Sequence, residues 1–179
     1  MLGITKGALM ELDYRKLLNI IRYGSEEEIK EALKAFINEN KGTEEGMRTI
    51  RRIFMGLRFE PRHKIRKAFL KGLAEATLWD EEILDTILFI SKNDADPDLR
   101  SLAEEVILKV LSNANSKNRK EIFLFILRAI DRRMTYISLA DVIRIVGINF
   151  AKNILSEKSV PRNIKELIEY GLEMLTEER

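Results

Sequence analysis

The sequence predicts an all-α fold: a short right-handed α-solenoid of about four helical hairpins, closed by a C-terminal capping helix. Three observations predict it. Apolar residues recur at helical spacing nearly throughout, with no strand-like alternation and no Asn-Gly hairpin turn. Capping residues interrupt that pattern at clear positions. The starts also repeat: Thr43, Asp80 and Ser116 lie about 36 residues apart, and Pro61 and Pro97 lie 36 apart. A fixed period of this size, with two helices per unit, marks stacked hairpins that bury a shared core.

The elements follow in order. A first helix spans Ala8 to Tyr23 and stops at Gly24, a residue suited to the left-handed position after a helix. Ser25 caps the second, with Glu28 three residues on completing a capping box. That helix ends near Asn40, with Gly42 as its stop. Thr43 caps a third helix running to about Phe59, and Pro61 opens a fourth that lasts to about Ala76. Asp80 caps a fifth, where Trp79 and Leu84 are placed as a hydrophobic staple. Asp96 and Pro97 open the sixth, which runs to about Ser112. Ser116 caps a seventh ending near Arg133. An eighth spans Ser138 to Leu155, and Pro161 begins the last, which reaches about Thr176. The hairpins are therefore 8–41, 43–77, 79–114 and 116–156, with a capping helix at 160–177, all within one domain of 179 residues.

Asp96-Pro97-Asp98-Leu99-Arg100, followed by Ala103, Val106 and Val110, resembles the turn and second helix of a HEAT-type repeat. A weaker echo stands upstream at Pro61, Ile65-Arg66 and Phe69, with Ile65-Arg66 lying 34 residues before Leu99-Arg100. The first and fourth hairpins match in length only. The resemblance implies that Arg66 and Arg100 each bond an acidic side chain in the turn of a neighbouring repeat. An irregular helical bundle is the alternative architecture.

Composition narrows the function classes. With 45% hydrophobic and 34% charged residues, the chain is neither disordered nor membrane-like. The most apolar window, Ile137 to Leu155, is broken by Asp141, Arg144 and Lys152, so no stretch reaches the roughly 18 residues a bilayer requires. Met1-Leu2-Gly3-Ile4-Thr5-Lys6 lacks the basic start and long apolar run of a signal peptide. A cytoplasmic protein is the expectation. Cysteine and glutamine are absent while Glu, Lys, Arg and Ile abound, a bias that fits a thermophilic protein. No disulfide and no thiolate metal site can form.

Charge is segregated along the chain. From Arg48 to Lys71 there are nine Lys or Arg and one acid, Glu60; from Glu75 to Glu105 there are ten acids and two bases, Lys92 and Arg100. On the third helix Met47, Ile50, Ile53, Phe54 and Leu57 share one face, and Arg48, Arg51, Arg52 and Arg58 the other. On the fourth, Ile65, Phe69, Leu73 and Ala76 oppose Lys64, Lys67 and Lys71, with His63 at the edge. Such a basic face can track phosphates, or it can pair with Glu81, Glu82 and Asp85 of the next hairpin.

The remaining motifs yield little chemistry. Asp94, Asp96, Asp98 and Glu105 have the spacing of a calcium loop, but Leu99 stands where that loop needs glycine. His63 is the only histidine, and without cysteine it builds no zinc site. Nucleophile elbows, phosphate-binding Gly loops and His-Glu-x-x-His are missing. The pair Trp79-Asp80 alone hints at a base-modifying enzyme, and a cap with a staple accounts for it.

The C-terminal half offers an apolar surface. Ile122 to Leu127 is apolar all round. On the eighth helix Leu139, Val142, Ile143, Val146, Phe150 and Ile154 form one face, and Ile137, Ile145, Ile148 and Leu155 a second. The last helix covers that second face through Ile164, Leu167, Ile168, Leu172 and Leu175, or a second copy does so in a homodimer. The expected function is a non-catalytic scaffold that binds protein partners, needs no cofactor or metal and does not enter a membrane. The alternative is nucleic-acid binding through Arg48, Arg51, Arg52, Arg58, Lys64, Lys67 and Lys71.

Overall fold

The computed structural model describes residues 5–178. The start of the segment read for a signal peptide, Met1 to Ile4, lies outside the described residues. Ten α-helices run in order: α1 Lys6–Tyr23, α2 Glu26–Asn40, α3 Glu44–Met55, α4 His63–Ala76, α5 Glu81–Asn93, α6 Pro97–Ser112, α7 Ser116–Asp131, α8 Leu139–Val146, α9 Ile148–Leu155 and α10 Arg162–Glu177. A 3-10 turn, Gly56–Phe59, extends α3, and no strand occurs among the described residues. The protein is all-α.

Most predicted caps form. Ser25 and Glu28 make the reciprocal capping box at α2. The Thr43 hydroxyl accepts from the Gly46 N–H, and the Asp80 carboxylate accepts from the Ile83 N–H. Asp96 accepts from the Asp98 N–H with Pro97 in the first turn of α6. Leu84 is buried and Trp79 half-buried beside the Asp80 cap.

Several local expectations are corrected. Gly24 is extended (φ −77°, ψ 163°), not left-handed. Its reason for being glycine is space, since a Cβ there would lie 2.6 Å from the Ile20 carbonyl oxygen. Pro61 does not open α4, which begins two residues later after Arg62, with no side-chain cap. Asn115, not Ser116, caps α7. That helix closes on Arg133 in the left-handed region (φ 56°), with the Arg133 and Met134 N–H groups returning to the Ile130 and Ala129 carbonyls. This is a Schellman closure, with arginine where glycine is usual.

The largest correction concerns 138–155. One helix was expected, and Gly147 divides it into α8 and α9. Its backbone (φ 93°, ψ 146°) lies in a region that essentially only glycine adopts. The apolar periodicity continues on both sides and conceals the break.

The chain divides into two compact units, Met1–Ile87 and Leu88–Arg179. In the first, α2 packs on α1 and most extensively on α4. A Cβ on Gly72 of α4 would meet Leu33 Cδ2 at 3.2 Å, so the two helices approach closely there. Ile29, Leu33, Ile37, Ile50, Phe54, Phe69 and Leu73 are buried in this unit, and the rings of Phe54 and Phe69 meet edge to face at 5.6 Å. In the second unit α8 packs against α6, α7, α9 and α10. Val106, Ile126, Val142, Ile143, Ile164 and Ile168 are buried, and Phe123 meets Phe150 edge to face at 5.8 Å.

Candidate functional site

The seven basic side chains read as one surface separate into two groups. Those on α4 reach back to the start of α2. Lys64 Nζ donates to the Gly24 carbonyl at 2.7 Å, Lys71 Nζ to Glu26 Oε1 at 2.8 Å, and Lys67 Nζ lies 4.0 Å from Glu26 Oε2. The Lys71 hydrogen bond, with Lys67 and His63 nearby, holds the Glu26 carboxyl below the usual glutamate range. Lys64 satisfies one of the carbonyls left unpaired at the end of α1.

On α3 and the turn after it, two arginines point into their own unit. Arg51 Nε donates to Asp80 Oδ2 at 2.8 Å, while Asp80 Oδ1 caps α5. One buried carboxylate thus joins two helices, and the Asp80 bond raises the Arg51 guanidinium further above its ordinary value. Arg58 donates to Asp85 Oδ2 and to Thr86 Oγ1, both at 3.3 Å. Asp85 was an expected partner; Asp80 was expected only as a cap.

Arg48 and Arg52 remain. Both are exposed, and no partner pairs with either among the described residues. Spacings of four, three and four residues place them in one row with Met55 and Phe59. Met55 is 57% exposed and Phe59 86%, an unusual setting for a phenylalanine. Sequence reading missed both. The signal available was their step off the Ile50–Phe54–Leu57 core face.

Arg66 and Arg100 both bond backbone carbonyls of the turns before their helices. Arg66 Nη1 donates to the carbonyls of Glu60 and Pro61, both at 3.0 Å. Arg100 Nη1 donates to those of Asp94 and Ala95, at 2.6 and 3.4 Å. Each described bond returns to the arginine's own turn, six and five residues back in both cases.

The proposed self-association residues are only partly at the surface. Ile137 is buried at 5% exposure, and Ile145, Ile148 and Leu155 are half-buried. The break at Gly147 puts them on separate elements, and α10 packs against both α8 and α9. A cavity lined by Val146, Gly147, Ile148, Phe150 and Leu175 opens at the break, and Arg144, bonded to Asp141 and Glu178, stands at its rim.

Asp94 Oδ1 and Asp96 Oδ1 accept backbone N–H groups, the first from Asp96 and the second from Asp98, as capping acids do. No cluster of metal-ligating side chains occurs among the described residues, and no helix there is long and apolar enough to cross a membrane.

No protein-family model matches the chain, and neither does any curated protein or solved structure. The likeness to HEAT repeats rests on the quoted residues. Burial pushes the Glu104 carboxyl on α6 upward.

Proposed function

We propose that this chain is a non-catalytic interaction scaffold of the HEAT-like, α-solenoid type, and that α3 with the turn after it carries a protein-binding surface. The row Arg48, Arg52, Met55 and Phe59 carries the reading. Arginine, methionine and aromatic residues are the types enriched at protein interfaces, and here they stand together, exposed and without internal partners. Two observations support the repeat architecture. Arg66 and Arg100, 34 residues apart, brace their turns through bonds of the same spacing. In addition, α2 lies along α4, the second helix of one hairpin against the second of the next.

The nucleic-acid alternative has less support. Four of its seven cations, Arg51, Arg58, Lys67 and Lys71, are paired with carboxylates, and Lys64 is held on a backbone carbonyl. Releasing counterions from phosphates needs cations that are not already neutralised.

A benzophenone side chain at position 59, photolysed in cells, tests the reading. Discrete protein adducts that disappear in R48E/R52E are expected. Adducts to nucleic acid, or none from a folded protein, overturn it.

A further inference from the structure

A second group of exposed cations lies in the first unit, on α1. Arg15, Leu18, Asn19 and Arg22 recur at spacings of three, one and three, so they share a helix face. With Ile21 they line an open groove whose far side is Arg62, at the start of α4. Three guanidinium groups meet two carboxylates there. Glu11 bonds Arg15 at 2.7 Å, and Glu60 holds Arg62 through both of its oxygens, at 2.8 and 3.2 Å. Glu60 thereby fixes the Arg62 fork and leaves its other N–H donors free. No carboxylate pairs with Arg22 among the described residues; its described neighbour is the Tyr23 ring, 5.9 Å from the guanidinium carbon. Leu18, 44% exposed, sits amid these cations.

We propose that this groove binds an acidic peptide segment that sets an apolar side chain on Leu18 and Ile21 and a carboxylate on Arg22, with Arg15 and Arg62 lining the groove. Charge complementarity sets the sign, because the groove keeps an unneutralised guanidinium. Its floor chooses between polyanions. Aliphatic side chains give an apolar residue a dry contact, whereas a single-stranded nucleic acid gains most from flat rings on which bases stack. Planar guanidinium groups match carboxylates two bonds at a time. The proposal rests on the scaffold reading and adds a contact separate from the Arg48–Phe59 row.

A labelled peptide of Glu and Leu is the probe, titrated by fluorescence anisotropy against peptides of Glu and Ser and of Lys and Leu, and against single-stranded oligothymidine. Preferential binding of the Glu–Leu peptide is expected. R15E/R22E weakens it by roughly tenfold or more, the loss expected for charge-assisted hydrogen bonds. L18S weakens the Glu–Leu peptide and leaves the Glu–Ser peptide unchanged. R15Q/R22Q replaces the charge reversal if its far-UV circular dichroism shows lost helix. Binding lost in R48E/R52E but retained in R15E/R22E overturns the groove and leaves the scaffold reading standing. Preference for oligothymidine, equal binding of the Lys–Leu peptide, or no binding of any probe also overturns it.

Discussion

The two units lock their helices in different ways. In the first, α2 and α4 are joined by two sets of ion pairs. Glu75 accepts Lys30 at 3.1 Å and Lys34 at 3.3 Å; one turn away, Glu26 takes Lys71 and Lys67. In the second, α10 seats on α8 through apolar side chains. A Cβ on Gly171 of α10 would lie 2.3 Å from Ile143 Cδ1 and 2.9 Å from Leu139 Cγ. Both halves carried a side-chain pattern that reads as a free surface, basic in one and apolar in the other. In the first, five of the seven cations are engaged within the unit; in the second, Ile137 is buried and Ile145, Ile148 and Leu155 are half-buried.

Glycine substitutions break the comparison most sharply. Gly171→Ala forces an added methyl into side chains already in contact, at a cost of about 2 kcal/mol in urea denaturation. Gly72→Ala meets its nearest atom at 3.2 Å, and the helix-propensity gain of roughly 1 kcal/mol offsets that contact. Equal losses at the two sites would show that both interfaces are equally close-packed. Next comes Asp80→Ala. It removes the cap of α5 and the partner of Arg51 together, and a loss of at least about 1 kcal/mol is expected from the cap alone. A neutral outcome would mean that Arg51 and the α5 start are held by other groups.

The smallest effect tests the ion pairs. Lys30, then Lys34, hold the Glu75 carboxyl below its usual range. A carboxyl depressed in the folded state stabilises the fold above its unfolded pKa, and the contribution fades as the pH falls through the folded value. Glu75→Gln therefore costs about 0.2–1 kcal/mol at neutral pH, and the gap to the parent closes in acid. A gap that persists at about pH 3 would mean that Glu75 acts by packing instead of charge.

Element type and most starts were legible because caps are local chemistry. Ser25 with Glu28, Thr43, Asp80, and Asp96 with Pro97 act on N–H groups two or three residues away, so sequence spacing contains the whole interaction. Gly147 was not legible, because an isolated glycine in a periodic pattern is tolerated in a helix at a cost of roughly 1 kcal/mol, and only its backbone angles mark a break. The candidate site was half legible. Arg48 and Arg52 stand exposed as read, but Phe59 and Met55 beside them were missed, and the five other cations look equally free in a helical projection.

By itself the sequence determined an all-helical chain and the approximate starts of most of its helices. Capping and periodicity act within one or two turns, which is why they could be read. Only the tertiary structure decided which charges face water. That choice depends on residues 27 to 45 positions apart, such as Arg51 with Asp80 and Lys71 with Glu26, meeting across helices. An arginine's charge is written in the chain, but whether a carboxylate lies within reach of it is settled by packing.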